Sequence, residues 1–164
     1  MKPKSKAGKP SRRREQEANS LLGLVLIDTS TWILTLGRKS LEHAKKVVDR
    51  LIAENRAATA GIVVLELLSG TKTKEEYLEL KEDLEALVQL DVTPNTWERA
   101  SQLAYELRRK GVTIPSADIL IMTIAVENGC ALLHADRHFD LMIEQGVGLP
   151  PRMVRNILEQ GERE

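Results

Sequence analysis

Apolar positions in this chain come in short solid blocks separated by longer stretches of helical periodicity. From Leu21 to Ile27 the sequence is apolar, interrupted only by Gly23. The block predicts a buried strand over 22–27, followed by a short helix over 31–36. Ser40 is placed to cap a longer helix reaching about Asn55, because Leu41, Ala44, Val47, Val48, Leu51 and Ile52 share one face. A short strand is expected over 57–60, then the helix IVVLELLSG, stopping at Gly70. Lys74–Leu87 reads as an amphipathic helix, LVQLDV as a strand, and Thr93-Pro94 as the cap and first position of a helix running to about Lys110. GVTIPSADILIMTIAVENG is a loop and then a strongly apolar helix ending near Gly129; CALLHAD is a strand closing on Asp136, and HFDLMIEQG a last core helix. Short apolar strands alternating with helices predict an α/β fold with a parallel sheet covered on both faces.

Composition changes this picture at one end. Residues 1–20 hold seven Lys or Arg against two Glu, and the rest of the 164-residue chain carries 17 basic and 22 acidic groups. The basic segment is rich in Lys, Pro and Ser and lacks apolar periodicity, so residues 1–20 are expected to be a disordered leader and 21–164 one folded domain. A basic arm on an acidic body suits an anionic partner, and equally a solubilising tail. Aromatic residues make up only 3% of the chain, so Leu, Ile, Val and Ala must build the core. The single cysteine, Cys130, lies in the apolar setting NGCALL, which suits a small core residue in a reducing cytosol. No apolar run is long enough for a membrane helix, and a cytoplasmic location is expected. Trp32 and Trp97 both fall in apolar helical patterns, which suits core or dimer packing better than base stacking.

Four carboxylates gather where such a fold keeps its chemistry, outside the carboxyl ends of the strands. Asp28 and Asp136 each close a strand, Asp118 lies in the first turn after Ile114-Pro115, and Glu66 lies in the helix after the second strand. Each has a plain alternative. Asp28 before Thr-Ser-Thr suits a helix cap, Asp118 suits the positive end of a helix dipole, and Asp136 and Asp140 suit capping or pairing with Arg137. Glu66 is harder to explain away: apolar neighbours on every side suggest a buried helix, and no basic residue follows before Lys72. Carboxylates about 5 Å apart repel by roughly 3 kcal/mol per pair at an effective dielectric of 20, so a cluster of them needs a cation. Oxygen ligands without a Cys or His quartet point to Mg²⁺ or Mn²⁺, with Ser30 and Ser116 placed to hydrogen-bond the ligands or water.

DTSTWI, ELLSG, SADILIMTIA and LLHADRHFD, in this order and spacing, resemble a PIN-domain ribonuclease of the VapC toxin type. The resemblance covers about residues 22–147. It implies a three-layer α/β/α sandwich on a parallel sheet of about five strands, Mg²⁺-dependent cleavage of RNA, a homodimer, and a VapB-like antitoxin that blocks the cleft. The family's acidic positions fall on Asp28, Glu66, Asp118 and Asp136, with Asp28 and Asp118 as direct metal ligands and Asp140 as a further contributor. The basic leader is not part of the pattern, and a threonine is common where His134 stands.

Three other readings compete. His134, His138 and His43 raise the reading of acid–base cleavage, but one ends a strand, one begins a helix and one sits in a charged helix. A phospho-acceptor receiver wants an acidic pair after the first strand and a lysine after the last, and no lysine lies beyond Lys110. A non-catalytic scaffold would bind RNA or a protein through the leader in a salt-sensitive, sequence-blind way.

Overall fold

The computed structural model describes residues 23–37 and 40–160; the expected leader therefore lies outside the described residues. Five short strands, β1 (Val25–Ile27), β2 (Ala57–Ala60), β3 (Val88–Leu90), β4 (Ala131–His134) and β5 (Val154–Asn156), form one sheet in the order β3-β2-β1-β4-β5. Every pairing is parallel, with Val25 opposite both Ala57 and Ala131.

Among the described residues there are eight α-helices: α1 (Thr29–Thr35) and α2 (Glu42–Ala53) after β1, α3 (Gly61–Ser69) and α4 (Lys74–Glu85) after β2, α5 (Pro94–Arg109) and α6 (Ser116–Asn128) after β3, α7 (Arg137–Glu144) after β4, and α8 (Ile157–Gln160) after β5. The chain runs from β1 outward to β3, then returns across the sheet to β4 and β5. Right-handed crossovers therefore put α1–α4 on one face and α5–α7 on the other. Most helix contacts follow this division: α1 meets α2 and α3, α3 meets α4, and α6 meets α5 and α7; α3 also touches α6 from the opposite face. The result is the three-layer α/β/α sandwich.

Local sequence explains most boundaries. Thr93 and Thr96 form a reciprocal cap at the start of α5, with Pro94 at its first position. Glu127 at the far end of α6 accepts from Asn95 Nδ2 (2.6 Å) and the Thr96 hydroxyl (2.5 Å), tying the two helices together. Gly129 ends α6 with φ +58, a conformation that costs glycine nothing. Ile119 to Ala125 are all buried, making α6 a core element on every side. Leu26, Ile27, Leu132, Leu133, Phe139 and Met142 complete the centre, and Cys130 is buried there with its thiol pushed up to about 11 by desolvation.

Four expectations are corrected. Helix α1 begins two residues early because Asp28 caps it. Helix α2 is preceded by Leu41 with no side-chain cap, so Ser40 does not start it. Helix α3 buries only Val63 and Leu67 while Leu65 is 63% exposed; it is not enclosed on all sides. HFDLMIEQG is not the last core element, because β5 and α8 follow it. Trp32 belongs to the core as expected, whereas Trp97 stands 58% exposed. Ile121 is fully buried at the centre of α6; Ile121→Ala is expected to cost about 2–5 kcal/mol in equilibrium denaturant unfolding.

Candidate active site

The chain's direction of travel reverses between β1 and β4, and an open parallel sheet keeps its ligand crevice at such a point, outside the carboxyl ends of the strands. Asp28 directly follows β1. Its backbone N–H donates to Leu133 O of β4 (2.9 Å), so the residue is held in the sheet as the chain turns into α1. Its carboxylate Oδ2 accepts the Ser30 backbone N–H (2.9 Å) and the Ser30 hydroxyl. That same hydroxyl accepts the Ala135 N–H (2.9 Å) from the turn after β4. Ser30 thus stitches the ends of the two central strands together. The capping bonds fall on Oδ2 alone, so Asp28 serves as a cap and still offers Oδ1.

Next along the edge, the Thr29 hydroxyl donates to Glu66 Oε2 at 2.5 Å, which fixes the half-buried Glu66 from the first turn of α1. Asp118 projects from the first turn of α6 with 14% of its side chain exposed. Asp136 caps α7 by accepting the His138 N–H (2.8 Å). His138 Nδ1 then lies 2.8 Å from Asp118 Oδ2 and 3.1 Å from Asp136 Oδ1. Ligand atoms of Asp118, Asp136 and His138 all fall within 4.8 Å of one another, a spacing that suits one metal ion.

The electrostatics match this crowding. Burial raises the Asp28 carboxyl above its ordinary range against the pull of the Ser30 hydrogen bonds, with a further push from Glu66. Asp118 is pushed up to about 6, first by burial and then by the charges of Asp136 and Asp28, with His138 drawing it back. Asp28 is only 3% exposed, so water cannot supply the missing counter-charge. Crowded, desolvated carboxylates with few internal cations fit a hard divalent ion.

The remaining expected residues sit around this group. Asp140 lies one turn along α7, accepts from Asn156 Nδ2 of β5 (3.0 Å), and faces His134 Nε2 at 3.5 Å. His134 is fully buried, its Nδ1 accepting the Asp136 N–H (3.3 Å) and its ring 5.0 Å from that of Phe139. Burial pushes its imidazole below the usual range. It supports the Asp136 turn from below and is closed to substrate, which removes it from acid–base cleavage; His43 is half-buried in α2. Ser116 is exposed at the first residue of α6. Thr29 was not singled out from the sequence, though it is legible as part of the hydroxyl run after Asp28; His138, weighed there only for acid–base cleavage, reaches Asp118 through the packing of α7 beside α6.

The PIN domain family matches residues 25–143. Ribonuclease VapC11 of Mycobacterium tuberculosis is 32% identical over 123 residues, spanning 73% of this chain and 91% of its own. Among solved structures, VapBC2 from Rickettsia felis bound to a promoter DNA fragment superposes with a TM-score of 0.64 at 21% identity, covering 81% of this chain and 98% of that one. DNA-bound VapBC from Salmonella typhimurium superposes with a TM-score of 0.65 at 23% identity, covering 82% and 98%.

Asp118 gives a pH prediction. Its folded-state value of about 6 lies above the unfolded 3.8, so the native state holds the proton more tightly. Stability of the metal-free protein should therefore fall as pH rises from about 4 to 6, and Asp118→Asn should recover roughly 1–3 kcal/mol at pH 7.5 in EDTA, measured by urea unfolding. A variant less stable than the parent at that pH would contradict this account of Asp118. The sandwich fold and the family match agree: this chain belongs to the PIN-domain family, among the ribonucleases of VapC type.

Proposed function

We propose that the protein is a metal-dependent endoribonuclease, cleaving structured RNA such as tRNA or rRNA in the cytoplasm as the toxin of a VapBC-type pair. The observation that carries this reading is the convergence of Asp28, Asp118 and Asp136 with Glu66 at the β1/β4 edge. Asp28 and Asp118 would hold Mg²⁺ or Mn²⁺, with Glu66 and Asp136 completing the cage or orienting water. A divalent ion in such a cage supplies a strong nucleophile at neutral pH and stabilises charge on the phosphoryl group.

The chain's own groups set the rest. Ser30 and Thr29 hold Asp28 and Glu66 in fixed rotamers, as pre-organised ligands require. Asp136, which caps α7, would support a second ion or the leaving side. With attack by water and not by the ribose 2′-OH, preference for RNA comes from its shape and its unpaired bases.

The partner reading also has support on this face. Thr29 and Glu66 border a groove of about 780 Å³, floored by Ile33, Leu36, Leu67 and Leu80. Glu76, Glu79 and Asp83 line it as well, so an apolar, basic segment of a VapB-like antitoxin would seat there and reach the carboxylates. The toxin is taken to act as a homodimer. Among the described residues no helix is long and apolar enough to cross a membrane.

The test is cleavage of a mixed structured-RNA pool by the purified chain with Mg²⁺ or Mn²⁺. Activity is expected to vanish in EDTA and to fall at least about a hundredfold in Asp28→Asn with the fold intact by circular dichroism. Cutting that survives both would refute the metal mechanism.

A further inference from the structure

His138 is the group at this edge that the nuclease reading leaves unused. Its backbone N–H is bound by the Asp136 carboxylate, so the first turn of α7 fixes where the ring stands. Nδ1 is shielded from solvent and lies at ion-pair distance from two carboxylates, with its N–H directed at neither oxygen. A hydrogen bond would aim the N–H at one oxygen. Here the nitrogen faces the space between two.

Its separations, 2.8 Å from Asp118 and 3.1 Å from Asp136, have a second meaning. Ligands about 2.1 Å from a six-coordinate ion lie about 3 Å from their neighbours along an octahedral edge. Imidazole nitrogen is a softer donor than carboxylate oxygen, and Mg²⁺ prefers an all-oxygen shell that keeps several waters.

We propose that His138 Nδ1 is a protein ligand of the divalent ion beside Asp118 and Asp136, and that this nitrogen turns the site toward a first-row transition ion such as Mn²⁺ in preference to Mg²⁺. The inference rests on the metal-site reading above and deepens it. Among the four carboxylates alone, nothing separates the two ions. One imidazole in the cage does.

The decisive experiment is binding of Mn²⁺ to the metal-stripped, full-length chain without RNA, followed by electron paramagnetic resonance. Free Mn²⁺ signal gives the affinity, and pulsed measurements detect nitrogen coupled to the bound ion. Nitrogen modulation is expected in the parent chain, altered by ¹⁵N-histidine labelling and lost in His138→Gln. The substitution should weaken Mn²⁺ binding at least about tenfold and change Mg²⁺ binding, read by competition, by less. Labelling tests the assignment on the unaltered chain, whatever the fate of the variant's fold. Bound Mn²⁺ without nitrogen modulation, or modulation unchanged in His138→Gln, overturns the role of His138 and leaves the carboxylate site standing. No Mn²⁺ bound by the parent chain overturns both.

Discussion

The pairing of β1 with β4 is the constraint on which everything at the functional edge depends. These strands are neighbours in space because the chain reverses direction there, with β1 leading to one side of the sheet and β4 to the other. The reversal leaves a crevice between two helices on opposite faces. Asp28 and Asp136 are delivered to its two lips, and Asp118 arrives from α6, the helix that leads into β4. Ser30 bonds to both lips at once, so the crevice has a fixed width and not merely a fixed location.

Holding negative groups at that width works against folding. The fold tolerates it by local means: Ser30 and Thr29 donate to Asp28 and Glu66, the first turns of α1 and α7 present N–H groups to Asp28 and Asp136, and Asp118 keeps its proton to about pH 6. None of these removes the charge at neutral pH, where Asp118 too has given up its proton. The site is therefore a place where stability has been given up to gather acidic groups that could hold a cation. The large buried block in α6 and the central strands is what lets the rest of the molecule absorb the deficit.

Strands buried on both faces advertise themselves as apolar blocks, which is why β1, β2 and β4 and the parallel sheet were legible. Strand β5 was not: its three residues include Arg155 and Asn156, and an edge strand needs no apolar run. The apolar content of α3 suggested enclosure, yet composition cannot distinguish a face packed on the sheet from one such as Leu65 left outside. The position of each acidic residue at a strand end or in a helix could be read locally, because strand ends and helix starts have local signals. The approach of His138 to Asp118 could not, since it depends on how two helices pack after the chain has closed. Capping and a role in the crevice looked like competing readings of Asp28; the capping bonds use only Oδ2 and leave Oδ1 free of them.

The stitch made by Ser30 also orders events in time. Its hydroxyl and the Ala135 amide are 105 positions apart. During synthesis the crevice cannot close until β4 has left the ribosome, and a contact of such sequence separation forms late in folding. A nascent chain thus carries three of its four carboxylates without the geometry that joins them. That delay leaves each unfinished copy without a working crevice until its last strands are in place.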